Sequence, residues 1–233
     1  MSPVVPFPTL RMERKCWESG DRVVCGMDEV GRGAWAGPAT VAAVIPAPEH
    51  LRGVRDSKLL TPEERERAAK RIRGWAVAIG VGHASHEECD TLGMTAALRA
   101  AGRRALAQIA AQGYEPDRII LDGNHDYLGL GTRVTTRIKA DMTCLAVAAA
   151  SVVAKVTRDA MMGDEAEHYP AYDFESNRGY PAPVHKMALA AYGPSAIHRR
   201  TWIFMDHLCW RGLTSQQEAP PWRVVQGSLS GIG

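Results

Sequence analysis

The chain has 233 residues, 45% of them hydrophobic and 23% charged, with a net charge of +2. This length can bury a sizeable core in one large domain, or one domain with an appendage, and the charge excludes a polycation, so any affinity for nucleic acid must come from local clustering. The five cysteines (Cys16, Cys25, Cys89, Cys144 and Cys209) form no CxxC pair, and no signal peptide or membrane-length apolar run is evident; this argues against a disulfide framework, a zinc ribbon or a membrane span, and for a reducing, cytoplasmic setting.

Residues 1–20 are mixed, with three prolines and no clear period, and read as an N-terminal extension, a loosely packed lead-in. Val23 to Met27 reads as a strand and Pro38 to Ile45 as its antiparallel partner. Thr61-Pro62-Glu63-Glu64 opens a helix with Thr at N-cap, Pro at N1 and Glu at N3 of a capping box, running to about Arg73. Trp75 to Val81 alternates small and large apolar residues as a strand does. Thr91 to Gln112 reads as one long helix ended by Gly113. Arg118 to Leu121 is a short buried strand leaving through Asp122-Gly123-Asn124, and Val134 to Ile138 is another strand. Thr143 to Met162 reads as an alanine-packed helix, with further helices at Pro183 to Tyr192 and His198 to Trp210. Residues 211–233, polar and Gly/Ser/Pro-rich from Thr214, read as a tail. The mixture points to an α/β sheet covered on both faces, within a main domain of residues 21–210.

Asp28 and Glu29 end an apolar run and are followed at once by Gly31-Arg32-Gly33. Two adjacent carboxylates at the edge of a core strand are costly to hold as anions, and a hard divalent cation such as Mg²⁺ offsets that cost. The alternative is an exposed strand end with a tight turn. Asp122 ends a second strand and Asp141 precedes a helix. Taken singly, Asp122 is equally a turn residue and Asp141 equally a helix N-terminal acid. Together, acids delivered by the exits of neighbouring strands suggest a shared ion site, because carboxylates brought this close repel unless a cation intervenes. Two metals about 3.5–4 Å apart are the usual apparatus for in-line displacement at a phosphodiester. Arg178, Lys186, Arg199, Arg200 and Arg211 form a basic segment from Ser176 to Arg211. That segment is either a phosphate-binding face or merely a solvated one. Arg199 and Arg200 suit duplex backbone contacts or pairing with an acid, and His83 and His86 look like ordinary loop residues.

The segments MDEVGRGAWAGP, DSKLL, LDGN, KADMTCLAVAAASVVAKVTRD, YPAYDFESNRGYP and HRRTW closely resemble, in order, the motifs of the bacterial-type ribonuclease HII, or type 2 ribonuclease H, family. The resemblance spans about residues 20 to 205. It implies an RNase H-like mixed β-sheet flanked by helices, with a small C-terminal helical part. It also implies an endoribonuclease that cleaves the RNA strand of RNA–DNA hybrids, and single ribonucleotides embedded in duplex DNA. The implied route is two-metal-ion hydrolysis with Mn²⁺ or Mg²⁺, leaving 5′-phosphate and 3′-OH ends. Asp28, Glu29, Asp122 and Asp141 fall on the family's metal-binding acids. Gly31, Arg32 and Gly33 fall on the loop whose backbone contacts the ribonucleotide 2′-OH, the one group that separates RNA from DNA at a single nucleotide. Tyr180 falls on the tyrosine that packs at the ribo–deoxy junction. Lys58 and Lys155 suit phosphate contacts or surface lysines. The implied partner is an RNA–DNA hybrid or ribonucleotide-containing duplex DNA, met by a monomer without a membrane. Val30, Trp35 and Met142-Thr143-Cys144 depart from the family pattern in ways that touch packing more than chemistry. A hydrolase of small phosphate esters and a non-catalytic nucleic-acid binder stand as rival readings, and the complete set of acids counts against the second.

Overall fold

The sheet is seeded by two runs of small and β-branched residues, Val24–Val30 (β1) and Ala39–Ile45 (β2), which pair antiparallel from Gly26↔Val44 to Val30↔Thr40. The computed structural model describes residues 7–55 and 57–207. Ala78–Ala84 (β3) adds antiparallel to β2, while Arg118–Asp122 (β4) and Val134–Arg137 (β5) add parallel on the other side. The order is β3-β2-β1-β4-β5, a mixed sheet whose central strand carries the two adjacent acids just before its last residue.

Helices cover both faces. Met94–Ala111 (α4) packs Leu98, Ala101 and Ala105 onto Cys25, Met27, Val41 and Leu121. On the opposite face, Pro62–Trp75 (α2) and Leu145–His168 (α5) bury Ile72, Leu145, Ala149 and Val152 against Ala42 and Val44. Each fully buried Leu, Ile or Val contributes roughly 1.5–3 kcal/mol. The helices lie unusually close to the strands. A Cβ on Gly80 or Gly82 would meet the carbonyls of Ala105 and Ala101, and one on Gly26 would meet the backbone of Ala146 and Val147. Close contact of α5 with β1 brings the helix's later turns to the end of that strand.

Most sequence expectations hold, with shifted ends. The capping box of α2 forms as read, with Glu64 N–H donating to Thr61 Oγ1 and Thr61 N–H to Glu64 Oε2. Trp75 belongs to α2 rather than to a strand, its indole N–H donating to the Glu49 carbonyl at 2.7 Å. The expected single helix from Thr91 is two, His86–Leu92 (α3) and α4, broken by Gly93 at φ 75°. His83 therefore lies in β3, bonded to Thr40, and His86 begins α3, so neither is a loop residue. The helix expected over Thr143 to Met162 is α5, which starts at Leu145 and runs on to His168. Phe174–Asn177 (α6) and Pro183–Tyr192 (α7) follow, the second as read. From His198 the described residues form turns and a short 3-10 segment, Ile203–His207, instead of the expected helix. Residues 208–210 and the expected tail lie outside the described residues. Met162, Phe174, Leu189, Phe204 and Met205 bury one another as a separate C-terminal core.

The lead-in is more ordered than its composition suggests. It contains a helix, Arg11–Glu18 (α1). Glu13 is fully buried, and its Oε1 accepts the Ala146 N–H at 2.7 Å and the Cys144 thiol at 3.2 Å. That carboxylate caps the first turn of α5, where the helix dipole favours an anion. Among the described residues no helix is long and apolar enough to cross a membrane.

Candidate active site

Pairing of β1 with β4 runs in register from Val24↔Arg118 to Met27↔Leu121. The next residues are Asp28 and Asp122, so these acids lie side by side where the two parallel strands part, toward their carboxyl ends, where open α/β sheets bind ligands. Side chains alternate along a strand, so Asp28 and Glu29 diverge. Asp28 turns toward α5, where its carboxylate bonds Ser151 as well as accepting the Glu29 N–H at 2.8 Å. Asp122 Oδ1 accepts the Ala140 N–H at 2.7 Å, which ties the loop bearing Asp141 to the end of β4. Asp28 is 7% exposed and Asp141 4%.

Burial pushes the Asp28 carboxyl well above the usual range, and the charges of Glu29 and Asp122 push it further. Burial also raises Glu29; Arg32, whose Nη1 lies 3.5 Å from Glu29 Oε1, opposes that rise, and Asp122 adds to it. Three acids therefore feel one another electrostatically, and the fourth sits beside the amide that holds one of them. Among the described residues, however, no group of three or more His, Cys, Asp or Glu converges closely enough to hold an ion directly. Asp28 Oδ1 and Asp122 Oδ1 each accept a backbone amide, and each carboxylate keeps its second oxygen for a further partner. The donor chemistry fits a hard divalent cation, being all oxygen and mutually repulsive.

A further polar group faces this locality. The buried Tyr127 hydroxyl has no hydrogen-bond partner among the described residues, and after burial the charges of Glu29, Asp28 and Asp122 raise its pKa most. No periodicity or motif in the sequence marked it.

A cleft of about 320 Å³ opens beside Asp28 and Glu29. Gly31, Arg32, Gly33, Lys58, Lys155 and Tyr180 all line it, whereas Asp122 and Asp141 do not. The Tyr180 hydroxyl accepts the Gly31 N–H at 3.0 Å, joining two loops 149 residues apart. Lys155 Nζ lies 2.7 Å from Asp159 and 5.9 Å from the Tyr180 ring centre. Burial lowers its pKa, and Asp159 opposes that fall.

The basic segment divides: Lys186 is exposed and Arg178 and Arg200 are half-buried, as a surface reading expects, whereas Arg199 turns inward. Arg199 is fully buried and binds carbonyls rather than phosphate or an acid, while the Arg200 amide donates to Asp90 at 2.6 Å. Arg158 is also fully buried and donates to the carbonyls of Ala36, Pro38 and Arg178, clamping the glycine loop to the Tyr180 loop. Trp35 stacks on Phe204 at 4.3 Å, consistent with a packing role.

His185 and His198, both fully buried, complete the support of Tyr180. Ser195 N–H donates to His198 Nδ1 at 2.9 Å, which leaves the proton on His198 Nε2. That N–H donates to His185 Nε2 at 2.8 Å, and His185 Nδ1–H donates to the Tyr180 carbonyl at 2.8 Å. Burial, then the charge of His185, pushes His198 down to about 3. The unfolded chain binds this proton near pH 6.5 and the folded chain does not, so stability is complete above that value and is lost as pH falls below it. The loss from His198 alone reaches about 2 kcal/mol at pH 5. Urea melts between pH 7.5 and 5 should show this loss as a difference in slope between wild type and His198→Gln; equal slopes contradict the neutral pair.

The ribonuclease HII family model matches residues 25–205. A ribonuclease HII of Streptomyces avermitilis is 50% identical over 212 residues, covering 88% of each chain. The ribonuclease HII of the Archaeoglobus fulgidus PCNA:RNase HII complex superposes with a TM-score of 0.63 at 29% identity, over 77% of this chain and 95% of that one. The ribonuclease H2 of Pyrococcus horikoshii OT3 gives the same TM-score of 0.63 at 28% identity, over 78% and 94%. The sheet order, the paired acids at its carboxyl edge and a match this long agree: the chain belongs to the ribonuclease HII family and is an endoribonuclease of the ribonuclease H type.

Proposed function

We propose that the chain cuts the RNA strand of RNA–DNA hybrids, and duplex DNA at single embedded ribonucleotides, leaving 5′-phosphate and 3′-OH ends. The observation that carries this reading is the register that sets Asp28 beside Asp122, next to the cleft lined by Gly31, Gly33 and Tyr180. Asp28 and Asp122 would hold Mg²⁺ or Mn²⁺, with Glu29 and Asp141 completing the shells. Such an ion pair supplies an acidified attacking water and charge stabilisation at the leaving oxygen. Lys58 and Lys155 offer cationic contacts to the phosphates beside the scissile bond. The glycine loop reads the ribose hydroxyl through backbone amides, and the Tyr180 ring packs on the next sugar. The catalytic unit is residues 21–210, acting as a cytoplasmic monomer.

A gel assay tests the reading. It compares a single-ribonucleotide duplex with an all-RNA hybrid strand, in Mg²⁺ and in Mn²⁺, with end-group analysis of the products. Cleavage of both, on the 5′ side of a ribonucleotide, is expected; turnover of nucleotides with indifference to duplexes contradicts it. Tyr180→Ala should slow the single-ribonucleotide substrate about tenfold or more relative to the hybrid, on the scale of one lost stacking contact. Equal losses on the two substrates count against a junction-sensing role.

A further inference from the structure

Arg199 is fully buried, and among the described residues it pairs with no carboxylate. An arginine placed where an apolar side chain would cost less calls for a reason. Its Nε and Nη2 both donate to the Gly37 carbonyl, at 3.2 and 3.0 Å, which fixes the plane of the guanidinium. The remaining arm, Nη1, donates to the Arg32 carbonyl at 3.1 Å. The Arg199 amide in turn donates to the Trp35 carbonyl at 2.9 Å. Burial lowers its pKa to about 10, so the side chain keeps its charge at neutral pH.

The consequence lies in the peptide that Arg199 grips. In a trans peptide the C=O and the following N–H point in opposite directions. With the Arg32 carbonyl drawn inward, the Gly33 N–H points outward. Gly33 is exposed and lines the cleft, and a Cβ built on it would meet nothing within 4 Å. Its amide has no acceptor among the described residues, whereas the Gly31 amide is already taken by Tyr180. Gly33 is thus the loop donor left for a ligand.

We propose that Arg199 is a positioning residue for ribose recognition: by holding the Arg32 carbonyl inward it aims the Gly33 N–H into the cleft, as a donor to a sugar hydroxyl. This rests on the ribonuclease reading above, which supplies the ribose. Arg199 touches no reacting atom; its effect passes through one peptide plane.

The test is equilibrium binding in Ca²⁺ of two duplexes, one with a single ribonucleotide and one all-DNA, to wild type and to Arg199→Met. Methionine keeps the apolar stem of the side chain, omits the guanidinium and frees the peptide. The expected result is a ratio of affinities that falls at least tenfold toward unity, with all-DNA affinity within about twofold of wild type. A merely structural role lowers both affinities alike and leaves the ratio intact, which overturns the proposal. A second measurement needs no variant. The Gly33 amide resonance of the wild-type protein should shift with the ribonucleotide duplex and not with all-DNA, and an equal response to both overturns the proposal. A wild-type protein that does not prefer the ribonucleotide duplex sinks the functional reading itself. Preference with an unchanged ratio in Arg199→Met sinks only the role of Arg199.

Discussion

Asp28→Asn should abolish cleavage and at the same time stabilise the protein in the presence of a chelator. Both effects follow from one fact: a carboxylate is held almost fully buried beside two others. Asparagine retains an oxygen for the Glu29 amide that Asp28 now accepts at 2.8 Å. It removes a charge that burial, Glu29 and Asp122 all oppose. Relief of that penalty is worth about 1–2 kcal/mol, or about 3–6 °C in Tm for a chain of this size. The sign depends on pH. A carboxyl raised in the folded state costs nothing below its ordinary pKa, and destabilises as pH rises through the raised value. The gain should therefore be present at pH 7.5 and vanish near pH 4. Calorimetry with EDTA reads the stability, and a duplex-cleavage gel reads the activity. A destabilised Asp28→Asn, or one that still cuts, contradicts the account.

The second large effect separates two glycines of one loop. Gly31 has φ 85°, and a Cβ there would strike Arg158 Nε and the Pro38 carbonyl. Gly31→Ala therefore combines left-handed strain with overpacking, costing about 3 kcal/mol, and it displaces the guanidinium that joins the two loops. Activity should fall at least about a hundredfold, because small misplacements at a reacting centre are expensive. Gly33→Ala meets no neighbouring atom. Its Tm should stay within about 2 °C of wild type, yet cleavage at a single ribonucleotide should drop about tenfold or more, since the new methyl stands between loop and sugar. Thermal melts and single-turnover rates on the two variants decide this. Equal loss of stability in both, or full activity in Gly33→Ala, breaks the separation between scaffold and contact.

What the sequence made legible was local. The α2 capping box is written in Thr61-Pro62-Glu63-Glu64 and forms as written. The acids at the ends of β1 and β4 stand out because charge interrupts an apolar run. The break at Gly93 was also local, yet the alanine and leucine period that follows it hid it, and with it the start of α3. Ser85 and Glu88 form a capping box there, three residues apart, that the longer helical pattern overrode. Trp75 was drawn into a strand by alternation, although its indole bonds a carbonyl 26 residues away.

The interior of the site was not legible, because it is made by contacts across the whole chain. Arg199 reads as a duplex contact or the partner of an acid, and nothing singles out Arg158, until the fold brings carbonyls from residues 32–38 around them, 120 to 167 positions away. His185 and His198 sit in a run of basic residues and carry no sign that their imidazoles face each other in the core. Glu13 lies in a stretch with no visible period, and its role appears only when α5 offers it an unpaired amide. Tyr127 follows a recognisable motif, but nothing in that motif says its hydroxyl is buried without a partner. The divergence of Asp28 and Glu29 follows from strand alternation, while the amide bonds that fix the Asp28 and Asp122 carboxylates are visible only in three dimensions.

The central claim is that Asp28, Asp122 and Asp141, with Glu29, serve one ion site. A calorimetric titration with Mn²⁺ tests it most directly, on wild type and on Asp28→Asn, Asp122→Asn and Asp141→Asn, each shown folded by circular dichroism. The account requires saturable binding by wild type and a loss of at least about tenfold in affinity in every variant. A wild-type isotherm from any of the three variants would contradict it.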